Sequence, residues 1–526
     1  MKKGKRFAAF VLVCALSASL AACDTGSFSS GNSDSAAAVE TTAVLSAEDV
    51  SINETMENSV DGEHVIEADG TNDSYANVKV VKSGDSEGDE ADFYGENSVV
   101  FATNGATLDL REIVLESHGT HANGIFSYGE GTTVNVSDSV IETSGNCSGG
   151  LMTTGGGTMN ASNLTIHTTG NSSAAIHSDR GGGTVNVDGG SYSTDGTGSP
   201  VVYSTADITV GNAIMESTAS QGIVIEGSNS VTLNDVNLTA DNNTKNSDKS
   251  DTYQAVMIYQ SMSGDASECL GTFTMNGGTL KNKNGDIFFV NNTVAQIDLS
   301  GVSIANEDSE GVFLRAEAAG WGSEGSNGGQ VTLNASGQTI NGDMLIDEIS
   351  SLNLILKDGS SFNGAVNPDG QQGNIYVELT NNSSWTLTGD SYISSLTCDA
   401  DSINLNGYKL YVNGEEYTEG TASTGQAIEI TVSEGSGENT PGETPADGNR
   451  PPEMPSKESD GSSVDNYSGD ASESTLKGQR PGKKNSTDGS EMEVEKPSRP
   501  EGKKPGSSES SGSTDQSNDT GNVSES

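Results

Sequence analysis

Apolar side chains recur along this chain at a long, fixed interval. The blocks TLDL (Thr107 to Leu110), TVNV (Thr133 to Val136), TMNA (Thr158 to Ala161) and TVNV (Thr184 to Val187) start 26, 25 and 26 residues apart. Five residues past the last apolar position of each block stands another apolar residue: Leu115, Ile141, Ile166 and Tyr192, continued by Met215, Leu238, Leu280 and Ile304. A third apolar block comes next, as GIFS at Gly124, GLMT at Gly150, AIHS at Ala175, PVVYS at Pro200, GIVIE at Gly222, AVMIY at Ala255, DIFFV at Asp286 and GVFLR at Gly311. Three short strands per repeat, joined by polar corners, make one coil of a solenoid. The pattern predicts an all-β, single-stranded parallel β-helix of some 12 to 13 coils over residues 50–432, with an irregular first coil and a hairpin-like cap from Asp401.

Alternation within each strand decides which side chains enter the core. In the first strand Val134 and Val136 point in, so Asn135 points out, in an outer column running from Asp109 through Asn135, Asn160, Asn186, Thr209, Thr232, Thr274 and Asp298 to Thr332. In the third strand the aliphatic column Ile125, Leu151, Ile176, Val201, Ile223, Val256, Ile287, Val312 is assigned inward. Its neighbours Phe126, Met152, His177, Val202, Val224, Met257, Phe288 and Phe313 then form an apolar stripe facing out. Such a stripe needs a partner. Either the excursion from Asp241 to Gly271 or the N-terminal span covers it, or it receives a ligand. Phe126, Met152, His177, Phe288 and Phe313 are therefore candidate ligand contacts, together with Trp321 in a second excursion, Ala316 to Gly329.

Composition narrows the chemistry. The formal net charge is -50, and nucleic-acid binding is excluded because a phosphate-binding surface needs a basic patch. Within DSEGDEADFYGE, the carboxylates Asp85, Glu87, Asp89 and Asp92 fall at near-alternate positions that suit a calcium loop, although the EF-hand pattern is absent. Cys147, Cys269 and Cys398 fall in widely separated coils, which argues against disulfides or a cysteine-only metal site.

The ends differ from the body. Residues 1–22 combine Lys2, Lys3, Lys5 and Arg6 with a short apolar run, as a signal peptide does. Leu20-Ala21-Ala22-Cys23 resembles the lipobox of bacterial lipoproteins. The resemblance implies cleavage before Cys23, lipidation of its thiol, and display on the cell surface at the membrane. Residues 23–49 are rich in Ser, Ala and Thr and read as a tether. Residues 433–526 hold nine of the 11 prolines, with Ser, Gly, Glu and Lys, and read as a disordered tail.

The coil pattern resembles the right-handed parallel β-helix of the pectate-lyase-like superfamily, and lipobox plus tail resemble adhesin-like surface lipoproteins. That superfamily includes lyases, hydrolases and non-catalytic binders. A lyase needs a basic residue beside calcium carboxylates; Arg180 with His177 and Asp179, in HSDRGGG, is the best constellation present, and it has no second base near it in sequence. No paired aspartates of a polygalacturonase-like hydrolase are found, and SHGTH (Ser117 to His121) departs from the histidine motif of that group. The sequence thus predicts a lipid-anchored carbohydrate-binding or adhesion module, with a polysaccharide lyase or glycoside hydrolase for an acidic glycan as the alternative.

Overall fold

The computed structural model describes residues 44–432, apart from 246, 262 and 372. The predicted signal peptide, Cys23, most of the predicted tether and the whole predicted tail lie outside the described residues. Leu45, at the end of the tether segment, packs with Val50 against Val114 and Val140 on the outside of the body.

The body is a parallel β-helix. Thirteen first strands pair in parallel and in chain order, from Asn72–Ala76 to Ser395–Thr397. The third strands form an 11-stranded sheet from Ile66–Asp69 to Met344–Ile346. Second strands begin at Glu54–Asn58, which pairs with Val78–Lys82. Val78 and Val80 thus belong to the second-strand ladder. At the other end Leu410–Val412 turns back on Glu415–Glu416 as an antiparallel hairpin, through Asn413 and Gly414, both at positive φ.

The fold follows from three inward columns. Leu108, Val134, Met159, Val185, Ile208, Val231, Phe273 and Ile297 stack in register in the first-strand ladder, and all are buried. Each contributes about 1.5–3 kcal/mol by leaving water, so thin overall hydrophobicity suffices when the few apolar residues are aligned. Between first and second strands the chain bends at a left-handed residue: Glu112, Asp138, Asn163, Asn212 and Asp235 all have φ between 51° and 55°. Asn and Asp tolerate this region better than other non-glycine residues.

The corner between second and third strands is built differently, and it positions the chemistry described below. Its sequence is Gly145-Asn146-Cys147-Ser148 in one coil, then Gly170-Asn171-Ser172-Ser173 and Gly196-Thr197-Gly198-Ser199. The serine hydroxyls of Ser148, Ser173 and Ser199 donate to the carbonyls of Gly119, Gly145 and Gly170 in the preceding coil. The glycines stack so closely that a Cβ at Gly145, Gly170 or Gly196 would stand 1.8 Å from the carbonyl oxygen of the glycine in the preceding coil.

Candidate functional site

Counting from these glycines sets the third-strand register. Ile125, Leu151 and Ile176 align with Val202, not Val201, and Val202 with Ile223. Farther on, Val256 pairs with Phe288 and Phe288 with Leu314. Phe288 and Phe313 are consequently core residues, fully buried and stacked edge-on at 5.5 Å. The outward column is Phe101, Phe126, Met152, His177, Tyr203, Val224, Met257, Phe289 and Arg315. The apolar members of this stripe are covered from within the chain. Phe101, Phe126 and Met152 cluster with Tyr128, and Tyr128 packs edge-on against Tyr94 of the short helix Asp89–Tyr94. Val224, Met257, Tyr259 and Phe289 lie under Trp321, with Tyr203 and Ala319 at their edge. The excursion from Asp241 to Gly271 is two loops flanking the third strand Gln254–Tyr259.

Between the two covered patches the sequence-predicted trio His177, Asp179 and Arg180 comes together with charges from distant segments. The Arg180 guanidinium donates to Asp265 at 2.6 Å and to Asp89 at 3.1 Å, and lies over the Phe93 ring at 3.7 Å. The Asp179 carboxylate accepts from the Arg180 amide at 2.9 Å and stands 3.7 Å from His177 Nε2. Burial, followed by the neighbouring Asp265 charge, pushes the Asp179 pKa well above the carboxylate range, and burial lowers that of His177 to about 4. Beside them Glu226 accepts from Tyr203 Oη at 2.5 Å, Tyr259 Oη at 3.1 Å, and both the amide and hydroxyl of Ser261. Burial raises its pKa despite these donors, and burial plus Glu226 raises those of both tyrosines. Arg180 is thus engaged from both sides in a clasp, and it presents no free base to a groove. Sequence reasoning missed Asp265 and Glu226, which lie in other coils.

The four carboxylates of the acidic segment do not converge. Asp85 accepts from the Thr120 amide and hydroxyl at 2.8 and 3.1 Å, and those bonds lower its pKa. Glu87 is exposed, Asp89 faces Arg180, and Asp92 contacts His121 Nδ1 at 2.5 Å. Near-alternate spacing would gather them on an extended loop, but the segment coils into a helix ended by Gly95 at φ 85°. Asp92 instead joins His121 and Cys147: one ligand atom from each lies within 4.8 Å of the others. Burial works against charge on His121, but Asp92 and the Cys147 thiol outweigh it and hold the imidazole pKa at about 10.

The first-strand outer column leaves an open groove of about 520 Å³. Asp109, Asn135, Asn160 and Asn186 line one side and Arg111, Ser137, Ser162 and Asp188 the other, with Tyr75 and Thr209 at the ends. Between the two rows run Leu110, Val136, Ala161 and Val187, whose side chains are buried in the core and leave only the strand backbone at the bottom. Each amide donates to the coil before it, Asn135 to Asp109 at 2.7 Å, Asn160 to Asn135 at 2.9 Å and Asn186 to Asn160 at 3.0 Å. The column continues past Asp298 to Asn334 instead of Thr332, which pairs with Gln296. The ladder uses one donor and one acceptor of each internal asparagine; a second amide N–H and a second carbonyl lone pair remain for another molecule. Compared with known proteins, the chain matches no family model, no curated protein and no solved structure.

Proposed function

We propose that this protein is a binding module that holds a glycan chain along the groove from Tyr75 to Thr209, displayed at the bacterial cell surface by lipid on Cys23. The observation that carries this reading is the in-register groove: each coil repeats an amide or carboxylate on one rim and a second polar side chain on the other, at the roughly 4.8 Å spacing of stacked strands. A linear polysaccharide offers a repeating row of hydroxyls that can both donate to and accept from such amides and carboxylates. The acidic body disfavours polyuronates through repulsion, which favours neutral or amino-bearing sugars. Membership of the pectate-lyase-like superfamily and kinship with adhesin-like lipoproteins are part of this proposal, supported by the parallel β-helix.

One observation favours the enzymatic alternative: Asp179, Glu226 and Tyr203 are perturbed titratable groups gathered in one place, as in active sites. Against it, Arg180 is occupied by Asp265 and Asp89.

The test is full-length protein in mild detergent on a glycan array, with and without calcium, while unsaturated or shortened products are monitored. Binding without turnover, lost on combining Asn135→Ala, Asn160→Ala and Asn186→Ala, supports the reading. Product formation abolished by Arg180→Ala would move the function to the clasp. For the anchor, Cys23→Ser is expected to release the protein from the membrane fraction; unchanged retention refutes lipidation.

A further inference from the structure

We propose that Asp92, His121 and Cys147 form a site for a borderline-soft divalent cation, of which zinc is the natural candidate, with a fourth coordination position open to solvent. The argument begins at the corner between second and third strands. His121 and Cys147 occupy equivalent places in successive coils, both with a left-handed backbone, at φ 50° and 52°. Each amide donates to the next coil at 2.9 Å, His121 to Asn146 and Cys147 to Asn171. Their side chains are therefore stacked one coil apart. The same corner carries Ser172 and Gly198 in the next two coils, so the pair of ligands occurs once in this column.

The third ligand arrives from outside. Asp92 projects from the helix Asp89–Tyr94, which is pinned by the Arg180 bond to Asp89, by buried Phe93, and by the Thr154 hydroxyl donating to the Phe93 carbonyl at 2.7 Å. The helix is thus held in register against the corner before any ion binds.

Two arrangements of Asp, His and Cys have different chemistry. In a nucleophilic relay the imidazole stands between carboxylate and thiol, one at each ring nitrogen, so oxygen and sulfur lie on opposite sides of the ring. Here the carboxylate oxygen, ring nitrogen and sulfur all lie within 4.8 Å of one another, so oxygen and sulfur gather around the same side. That is the geometry of a chelate. Metal–ligand distances of about 2.0–2.3 Å require only side-chain rotation from this starting point, with the ion replacing the Asp92–His121 contact. Thiolate and imidazole select zinc-like ions over calcium or magnesium, and a thiolate with a carboxylate balances a divalent charge. The His121 and Asp92 side chains are 19% and 24% exposed, enough for a water or substrate atom to take the fourth place, as in zinc sites with three protein ligands.

The experiment uses full-length protein stripped with a chelator and titrated with Co²⁺ as the spectroscopic probe, then with Zn²⁺ as competitor. The expected result is a thiolate-to-cobalt charge-transfer band with one-to-one stoichiometry, bleached by Zn²⁺ and unaffected by excess Ca²⁺. Cys147→Ser is expected to remove the band and His121→Ala to weaken binding by more than the roughly 10–100-fold that loss of an outer-shell partner costs. Serine already occupies this corner at position 172, so Cys147→Ser is compatible with the fold. Zn²⁺ is also expected to protect Cys147 from alkylation. Absence of the band, displacement of cobalt by calcium, or alkylation of Cys147 unchanged at saturating Zn²⁺ would each overturn the proposal.

Discussion

Replacing Arg180 by alanine tests whether the clasp holds the outer layer on the solenoid. The substitution removes a 2.6 Å bond to Asp265, a 3.1 Å bond to Asp89 and the stacking on Phe93. Asp265 has a side chain only 6% exposed, whereas Arg180 is 27% exposed. Stranding one partner of a buried pair costs about 3–5 kcal/mol, and partial exposure of the arginine places this case near the lower end, about 3 kcal/mol. The coils themselves do not pass through Arg180, so the loss is local. At about 1.4 kcal/mol per factor of ten, the segment around Asp265 and the helix Asp89–Tyr94 should open on the order of 150-fold more often. Native-state hydrogen exchange read on peptides from 89–96 and 260–269, with 223–226 as the core reference, measures this directly. Arg180→Lys keeps the charge without the planar fork and should recover only part of the protection. A change below about tenfold at both segments, or an equal change in the core strand, would refute the reasoning.

Other consequences follow from the coils and the buried acids. Gly170→Ala places a Cβ 1.8 Å from the Gly145 carbonyl and should destabilise the body by about 1–3 kcal/mol. Gly211→Ala, whose Cβ meets nothing closer than 3.6 Å, should be far milder in the same thermal melt. Asn160→Ala removes the bonds to Asn135 and from Asn186 and should cost about 1 kcal/mol, measured by urea denaturation. Burial raises the folded-state pKa of Asp179 above its ordinary 3.8, so the folded protein holds that proton more tightly than the unfolded chain. Stability should therefore fall as pH rises from the ordinary value through the raised one, and the penalty is complete above it. Asp179→Asn should stabilise the clasp region at neutral pH and make no difference well below pH 4. Equal stabilisation across the pH range would contradict the assignment.

Most of the fold was legible because the repeat is direct. The blocks at Thr107, Thr133, Thr158 and Thr184 pair in the register that their spacing implies, and the second-strand column from Leu115 to Ile304 aligns throughout. The third strand was misread at Val201, Ile287 and Val312 because aligning first apolar residues ignores corner length. Gly119, Gly145, Gly170 and Gly196 each precede the inward residue by six positions, pointing to Ile125, Leu151, Ile176 and Val202. That signal was available. The clasp was not, since Asp89 and Asp265 lie 91 and 85 residues from Arg180 and belong to irregular excursions. Nor was the helix Asp89–Tyr94, whose six residues are too few for a period to show. His121 and Cys147 stand 26 residues apart, one coil of the repeat, so their proximity was implicit in the same spacing that revealed the solenoid.

The clasp also changes how such a molecule should unfold. In a solenoid each coil touches its neighbours, so stability is a sum of local terms and opening can start anywhere. Arg180 follows the third strand that begins at Ile176. The helix carrying Asp89 precedes the strand of Val100, three coils earlier, and Asp265 follows the strand of Val256, three coils later. One guanidinium therefore ties excursions from both sides across a stack of coils that otherwise communicate only stepwise. The coils' own ladder bonds do not run through this clasp, but an opening that displaces the covering loops breaks it, so it adds one long-range tie to a stack otherwise held by nearest neighbours. The groove from Tyr75 to Thr209 lies on the first-strand ladder of many of the same coils, whereas the clasp lies over their third strands. With the clasp cut by Arg180→Ala, this tie is gone, and thermal unfolding of the outer layer around 89–96 and around Asp265 should separate from that of the coils beneath it, whereas in the unaltered protein the two should run closer together; no change in their separation would argue against the tie.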